Sequence, residues 1–193
     1  MDKDIIIKKK ILDAAEKRVI KFGYHKVTMD EIAADLVMSK NTIYKYFPSK
    51  EDIAKCLVAR LEDQLNLALD HIEKNQKDPL KVFSESVFLM RKQLSPWFDQ
   101  FFRDIPSELP DLWKDFTQYR NEKIMGVRSV LDKGIKKGVF RKVNSSIAVQ
   151  AYLGAVKAIL SPKFLEKERL SFDQALTEIM DIWSNGMVKI RRA

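Results

Sequence analysis

A fifteen-residue stretch, residues 36–50, contains three lysines and no acidic side chain. Lys40, Lys45 and Lys50 recur every five residues in a chain that otherwise holds 27 Asp plus Glu. Hydroxyl, amide and phenol groups lie between them, on Ser39, Asn41, Thr42, Tyr44 and Tyr46. Phosphate is attracted to such a cationic surface, and the neutral groups can bond phosphate oxygens or base edges. The stretch is therefore predicted to bind a polyanion through charge and hydrogen bonds.

A short amphipathic helix precedes most of this stretch, at Thr28–Val37. Thr28 and Glu31 have the spacing of a capping box, which satisfies orphan N–H groups at a helix start. The apolar residues that follow recur at helical spacing and give one buried stripe, made of Met29, Ile32, Ala33 and Leu36. This pattern predicts a helix of about three turns.

A second helical pattern, Lys40–Phe47, offers only Ile43 and Phe47 to a core. Its remaining positions are polar or aromatic, so the helix is poorly suited to burial and well suited to a charged partner. Two helices joined by a short turn, the second with an exposed polar front, are typical of the helix-turn-helix, in which the second helix enters the major groove.

Composition predicts an all-α protein. Of 193 residues, 46% are hydrophobic and only six are Gly and six Pro, and helical periodicity fills nearly all of the chain. The patterns indicate about nine helices, three of them in an N-terminal helix-turn-helix domain at residues 1–50. A long fourth pattern then carries its stripe to Asn75, and residues 51–193 are assigned to a second helical domain.

The chain is basic, and more so near its start. Its formal charge is +8, and residues 1–50 hold 11 basic and 7 acidic side chains, a net of +4 in about a quarter of the length. This bias favours a polyanion partner at that end. A single cysteine, Cys56, excludes an intramolecular disulfide and fits a reducing cytoplasm; its place on an apolar stripe predicts a small core residue. No signal peptide is visible, since Lys8–Lys10 follow directly on Ile5–Ile7.

The segment IAADLVMSKNTIYKYFPSKEDI resembles the signature of the TetR family of bacterial transcriptional regulators. The preceding segment, IIIKKKILDAAEKRVIKFGYHKVTMDEIA, is similar to that family's first helix and the Gly-Tyr corner before its second. The resemblance covers roughly residues 5 to 60. It departs at Val37, where the family usually has Gly, and at Asn41, where Gly is frequent. Since Gly ends a helix in the left-handed conformation without steric strain and a β-branched Val does not, an altered turn is expected here.

The helix-turn-helix hypothesis divides the DNA contacts between two groups. Four residues are expected to bind phosphate or sugar and set the register on the duplex: Thr28, Tyr44, Tyr46 and Lys50. Five are expected to face the bases: Ser39, Lys40, Asn41, Thr42 and Lys45.

Nine of the nineteen aromatic residues lie between Phe83 and Tyr119. Packing as core would explain them, since aromatics are large and apolar. The resemblance supports a second interpretation, because TetR-like proteins hold a small-molecule effector in this helical body. It implies an apolar or aromatic effector in a pocket drawn from Phe83, Phe88, Trp97, Phe101, Trp113, Phe116, Tyr119 and Tyr152.

Small residues recur along the helical pattern Ser145–Leu160. Burial within the chain would explain them, because small side chains let helices approach closely. The resemblance also implies a homodimer formed by the last two helices as a four-helix bundle, with an interface drawn from Ala151, Gly154, Ala155, Ala158, Ile179 and Trp183. A two-fold dimer would present two recognition helices to successive major grooves.

Catalytic and metal-binding motifs are not found. His25 and His71 are the only histidines, and neither has a Glu or Cys at metal-ligand spacing. We therefore expect no enzyme, no metal and no cofactor. The predicted function is a cytoplasmic, ligand-responsive transcriptional regulator, a repressor that binds a near-palindromic operator as a dimer. The alternative is a basic all-α protein that binds membrane surfaces or protein partners without sequence-specific DNA binding.

Overall fold

A computed structural model describes residues 3–187, which form ten α-helices and no β-strand. The helices are α1 Lys3–Phe22, α2 Met29–Asp35, α3 Lys40–Tyr46, α4 Lys50–Asn75, α5 Pro79–Phe98, α6 Phe101–Glu108, α7 Pro110–Lys136, α8 Ser145–Ile159, α9 Pro162–Glu168 and α10 Phe172–Met187. The all-α fold with an N-terminal helix-turn-helix is confirmed.

The chain divides into two compact units. The first contains the described residues up to Gln64 together with Pro96–Phe116, and the second contains Leu65–Ser95 with the described residues from Thr117 onward. The division falls inside α4, so that helix belongs to both units. The 1–50 limit of the DNA-binding domain stays a prediction.

The first unit is built on the apolar faces of α1 to α4. Ile11, Ile32, Ile43 and Leu57 each expose 2% or less of their surface, one from each helix. Rings from the 96–116 segment form an aromatic cluster in the same unit, made of Trp97, Phe98, Phe101, Phe102, Trp113 and Phe116. This packing fixes the short α2 and α3, which are too short to be stable alone.

The second unit packs α8 against α10. Its core includes Leu131, Val149, Phe172 and Ile179, all buried. At the end of α7, the ring of Phe140 lies so close to Gly134 that a methyl group there would overlap it.

Proline positions account for most of the differences from the predicted helices. The pair Ser95-Pro96, a capping residue before proline, is typical of a helix start, but α5 continues through Pro96 to Phe98. Proline removes the N–H that would bond the carbonyl of Lys92, and Lys92 is exposed, where solvent can satisfy that group. The pair Ser161-Pro162 follows α8 and also starts α9, because Ser161 caps that helix.

Cys56 is exposed on α4, so its assignment to the core was wrong. Among residues 3–187, no helix combines the length and the apolar character needed to cross a bilayer.

Candidate nucleic-acid interface

The N-terminus of α2 is fixed by the capping box that the sequence predicts. The Glu31 backbone N–H donates to the Thr28 hydroxyl at 3.2 Å, and the Thr28 N–H donates to the Glu31 carboxylate at 2.9 Å. The hydroxyl of Thr28 also lies 3.0 Å from that carboxylate. Thr28 is exposed, but a contact from its hydroxyl to phosphate would have to share the group with the cap.

Val37 makes the turn between α2 and α3 in the left-handed conformation, with φ of +52°. Its N–H donates to the carbonyl of Ala34 at 3.1 Å, and the Met38 N–H donates to that of Ala33 at 3.0 Å. These two bonds form a Schellman motif, the usual helix ending at a glycine. The turn therefore has the backbone that glycine would give it, and the side chain of Val37 is 95% exposed.

The front of α3 faces solvent. Ser39 caps the helix by accepting from the Thr42 N–H at 3.1 Å. Ile43 and Phe47 are buried at 0% and 4% exposure and attach the helix to the core. Four of the predicted DNA-contacting side chains on the helix itself are exposed, namely Lys40, Asn41, Tyr44 and Lys45. The helix thus offers cations, an amide and a phenol to a partner, while its opposite side packs against the core.

Several predicted DNA contacts already have partners within the chain. Lys40 forms an ion pair with Asp30 at 2.7 Å, and the hydrogen bond and charge of Asp30 raise the pKa of the lysine. The Tyr46 hydroxyl donates to Asp4 at 2.6 Å. Lys50 donates to the carbonyl of Tyr24 at 3.0 Å and lies 4.1 Å from the centre of its ring. If they contact DNA as predicted, these side chains must exchange such contacts for phosphate or base atoms.

The corner between α1 and α2 is anchored by α6, within the first unit. The His25 N–H donates to the carboxylate of Asp104 at 2.9 Å, and the His25 ring lies 2.5 Å from Glu108. Gly23 has φ of +86°, and a Cβ there would lie 2.7 Å from Asp104. Glycine is required at this corner by both its backbone conformation and the closeness of α6.

The residues predicted for an effector pocket fall into two groups. Trp97, Phe101, Trp113 and Phe116 lie in the first unit, where ring centroids 4.2–6.3 Å apart mark a closely packed cluster. Phe83, Phe88, Tyr119 and Tyr152 lie in the second unit. The four residues of the first group therefore pack as core.

The four residues in the second unit have different surroundings. Phe83 lies 4.8 Å from Trp183, whose ring is 5.5 Å from that of Tyr152. Phe88 is 57% exposed, and it lines a groove of about 540 Å³ with Ile72 and Leu89. Tyr119 donates its hydroxyl to Asn66 at 3.0 Å.

The residues predicted for a dimer interface also differ in exposure. Ala151, Gly154 and Ala158 are exposed on α8, and Ala155 is half-buried. Ile179, in contrast, is only 4% exposed and belongs to the core of its own chain. Trp183 is half-buried and donates its indole N–H to the carbonyl of Ala148 at 3.2 Å.

Three residues that the sequence analysis did not single out stand out in the second unit. Ile147 on α8 and Ile182 on α10 are 67% and 74% exposed, and they add apolar surface to the two helices expected at the dimer interface. Arg120 is buried at 8% exposure. The sequence carries a signal for it, because Arg120 occupies the i+4 position between Phe116 and Ile124 on the buried stripe of α7.

Within residues 3–187, no group of three or more His, Cys, Asp or Glu side chains could hold a metal ion.

Comparison with known proteins identifies the N-terminal unit. Residues 11–56 match the profile of the bacterial regulatory proteins of the tetR family, a span that runs from α1 through the turn and α3 into α4. The N-terminal unit is similar to the TetR family. This assignment confirms the resemblance and favours DNA over a membrane surface as the partner of α3.

Curated relatives match along most of the chain. An HTH-type transcriptional regulator of Bacillus subtilis, YvaF, is 26% identical over 88% of the chain and 90% of its own length. The fatty acid metabolism regulator protein of the same organism is 21% identical over 92% and 93%.

A TetR-family regulator of Agrobacterium tumefaciens has the same fold, with a TM-score of 0.74, 16% identity, and 96% of this chain and 100% of that chain covered. The relatives are named as transcriptional regulators and not as enzymes. The chain is a DNA-binding transcriptional regulator.

Proposed function

We propose that this TetR-family regulator is a cytoplasmic repressor, which binds a near-palindromic operator as a homodimer and leaves it when an apolar or aromatic effector binds the C-terminal body. The observation that carries the proposal is the position of α3. Its core side is buried through Ile43 and Phe47, while Lys40, Asn41 and Lys45 remain exposed. A helix held in this way can insert its polar front into a major groove.

A dimer is supported by the exposed apolar surface of α8 and α10. Ile147, Ala151, Gly154 and Ala158 recur along α8 at i, i+4, i+7 and i+11, so they share one face of that helix. All four are exposed in the single chain, as is Ile182 on α10. Apolar surface of this kind on two packed helices fits a two-fold helical interface. Ile179 is left out of the proposed interface because it is buried within the chain.

The effector is proposed to be a compound with a long acyl chain or another extended apolar group. The relative named as a fatty acid metabolism regulator supports this class, since it matches nearly the whole chain and not the DNA-binding part alone. The rings of Phe83, Tyr152 and Trp183, in the second unit, supply apolar surface for such a group.

We propose that α4 and α6 transmit the effect of effector binding to the DNA-binding helices. α4 runs through both units, and α6 anchors the corner before α2 through Asp104 and Glu108. A ligand shifts such an equilibrium only by the difference in its affinity for the two conformations.

Selection of bound duplexes from random DNA tests the proposal. A dimer of helix-turn-helix units is expected to enrich an inverted repeat whose half-sites are one helical turn, or a small multiple of it, apart. Adding dodecanoate, as a representative acyl compound, is expected to reduce the amount of enriched duplex that is bound. Failure to enrich any duplex, or enrichment of unpaired half-sites alone, would contradict the DNA-binding or the dimeric part of the proposal, respectively.

Substitutions within the interface separate positioning from base recognition. Lys50→Ala is expected to weaken binding to all duplexes alike and to lower the salt slope by about one unit, whereas Lys40→Ala or Asn41→Ala is expected to change preference between operators. Affinities are measured by fluorescence anisotropy over a salt series. Lys55→Ala is the control, because Lys55 lies on α4 beyond Lys50 and forms an ion pair with Glu51. Equal losses of affinity on every sequence for Lys50→Ala, Lys40→Ala and Asn41→Ala would refute this division of roles.

A further inference from the structure

Arg120 is a buried cation with no acidic partner. Its side chain lies on the core-facing stripe of α7 and is 8% exposed. Within residues 3–187, no carboxylate forms an ion pair with it, and its Nε atom is the one buried side-chain nitrogen or oxygen that lacks a hydrogen-bond partner. Its Nη2 atom reaches only the amide oxygen of Asn121, at 3.4 Å.

A guanidinium in this position is normally compensated. Removing a charge from water is strongly unfavourable unless it is paired, and buried arginines are usually met by carboxylate or phosphate groups. Burial lowers the pKa of Arg120, and the charge interaction with Tyr152 acts in the opposite direction. In the free protein, the Nε–H donor of Arg120 is therefore buried and unsatisfied.

The surroundings of Arg120 suit the polar end of an amphipathic molecule. Burial raises the pKa of Tyr152 to about 12, so its hydroxyl keeps its proton at neutral pH and can donate to an anion. The ring of Tyr152 lies 5.5 Å from that of Trp183, which is 4.8 Å from that of Phe83. The hydroxyl of Tyr152 thus belongs to a row of rings within the second unit, and the charge of Arg120 acts on that hydroxyl by lowering its pKa.

We propose that Arg120 is the counter-ion for an oxyanion group, a carboxylate or a phosphate, at the polar end of the effector. Both groups accept two parallel N–H bonds from a guanidinium, and such charge-assisted pairs are the strongest hydrogen bonds in proteins. This inference rests on the proposed function, because it assigns a headgroup to the effector proposed above. It predicts that neutral molecules with the same apolar chain bind less tightly.

The test compares three probes that share a twelve-carbon chain: dodecanoate, dodecyl phosphate and dodecanol. Binding to the full chain is measured by tryptophan fluorescence, and release from the selected operator by anisotropy. Wild type is expected to bind at least one of the two acids about tenfold or more tightly than the alcohol, as a buried charge-assisted bond predicts. The stronger of the two acids identifies the headgroup class.

The variant Arg120→Met removes the charge of the side chain and keeps its length. Arg128→Met, on the same helix, is the control, because Arg128 is solvent-exposed and adjoins Asp132. Arg120→Met is expected to lose the preference for acid over alcohol while it keeps alcohol and operator affinity; Arg128→Met is expected to change neither. Retention of the preference in Arg120→Met, or equal binding of acids and alcohol by wild type, would overturn the inference.

A probe without an apolar chain keeps this inference distinct from the proposed function. Inorganic phosphate is expected to raise the thermal unfolding midpoint of wild type more than that of Arg120→Met. Without added anion, Arg120→Met is expected to unfold at the same or a higher temperature than wild type, because an uncompensated buried charge has been removed. If no twelve-carbon probe binds but phosphate acts through Arg120, the proposed acyl effector fails and the oxyanion site stands. If phosphate stabilises both proteins equally, the oxyanion site fails.

Discussion

Single residues in this protein hold conformations that their side chains disfavour. Val37 adopts φ of +52° at a position where the Schellman motif normally uses glycine. Because its side chain is 95% exposed, no packing offsets the strain between Cβ and the backbone. Val37 lies in the turn between α2 and α3, so the strain lies beside the proposed DNA-binding surface.

Val37→Gly is expected to stabilise the protein by about 1 kcal/mol, because it removes a left-handed β-branched residue and gives up no buried contact. The free energy of unfolding is measured by urea denaturation. Val37→Ala is the control and should gain clearly less, since it keeps Cβ. A loss of stability in Val37→Gly would show that the valine side chain stabilises the turn in a way that its exposure does not reveal.

At the scale of helices, glycines in α7 differ in what surrounds them. A Cβ at Gly134 would overlap the ring of Phe140, whereas nothing lies within 4 Å of a Cβ at Gly126. The two positions share a helix and neither has positive φ, so packing alone separates them. Gly134→Ala is expected to destabilise the protein by about 1–3 kcal/mol through overpacking. Gly126→Ala is expected to stabilise it by about 0.5–1 kcal/mol through helix propensity. Both are measured by urea denaturation, and equal effects of the same sign would contradict the packing described around Phe140.

The elements of the DNA-binding unit could be predicted from sequence because their signals are local. A capping box such as that of Thr28 and Glu31 depends on four consecutive residues, and the periodic stripe of α2 on one helix. The second unit has the same kind of local signal: the Ser171 N–H donates to the Gln174 side-chain oxygen, and the Gln174 N–H donates to the Ser171 hydroxyl. α9 was missed because seven residues carry too little periodicity, and the continuation of α5 through Pro96 depends on tertiary burial of Trp97 and Phe98.

The individual contacts of the site could not be predicted, because they join residues that are distant in sequence. The pairing of Lys40 with Asp30, the bond from Lys50 to Tyr24 and the anchoring of His25 by Asp104 all require the folded chain. Ile182 is exposed, whereas Ile179, three residues earlier on α10, is buried. This difference likewise follows from how α10 packs on α8.

For the molecule as a whole, the exposed apolar surface of α8 and α10 determines the expected assembly. Ile182→Arg should convert a dimer to monomers, because it places a charge in the proposed interface, and operator affinity should fall about tenfold or more when one half-site contact is lost. Molar mass is measured by light scattering and affinity by anisotropy. Leu67→Arg is the matched control, since Leu67 is 73% exposed on α4. A wild-type monomer, or an Ile182→Arg variant that remains dimeric, would exclude this interface.

The ion pair between Lys40 and Asp30 bears on how the regulator finds its target in a chromosome. In the free protein an acid on α2 already occupies the ammonium group that would otherwise attract any stretch of DNA backbone. Each random encounter must displace that acid, which weakens attachment to the great excess of irrelevant sequence. Tight binding is expected only at a site whose bases bind Lys40 more strongly than Asp30 does. Competition from Asp30 is therefore expected to shorten the residence time on non-specific DNA.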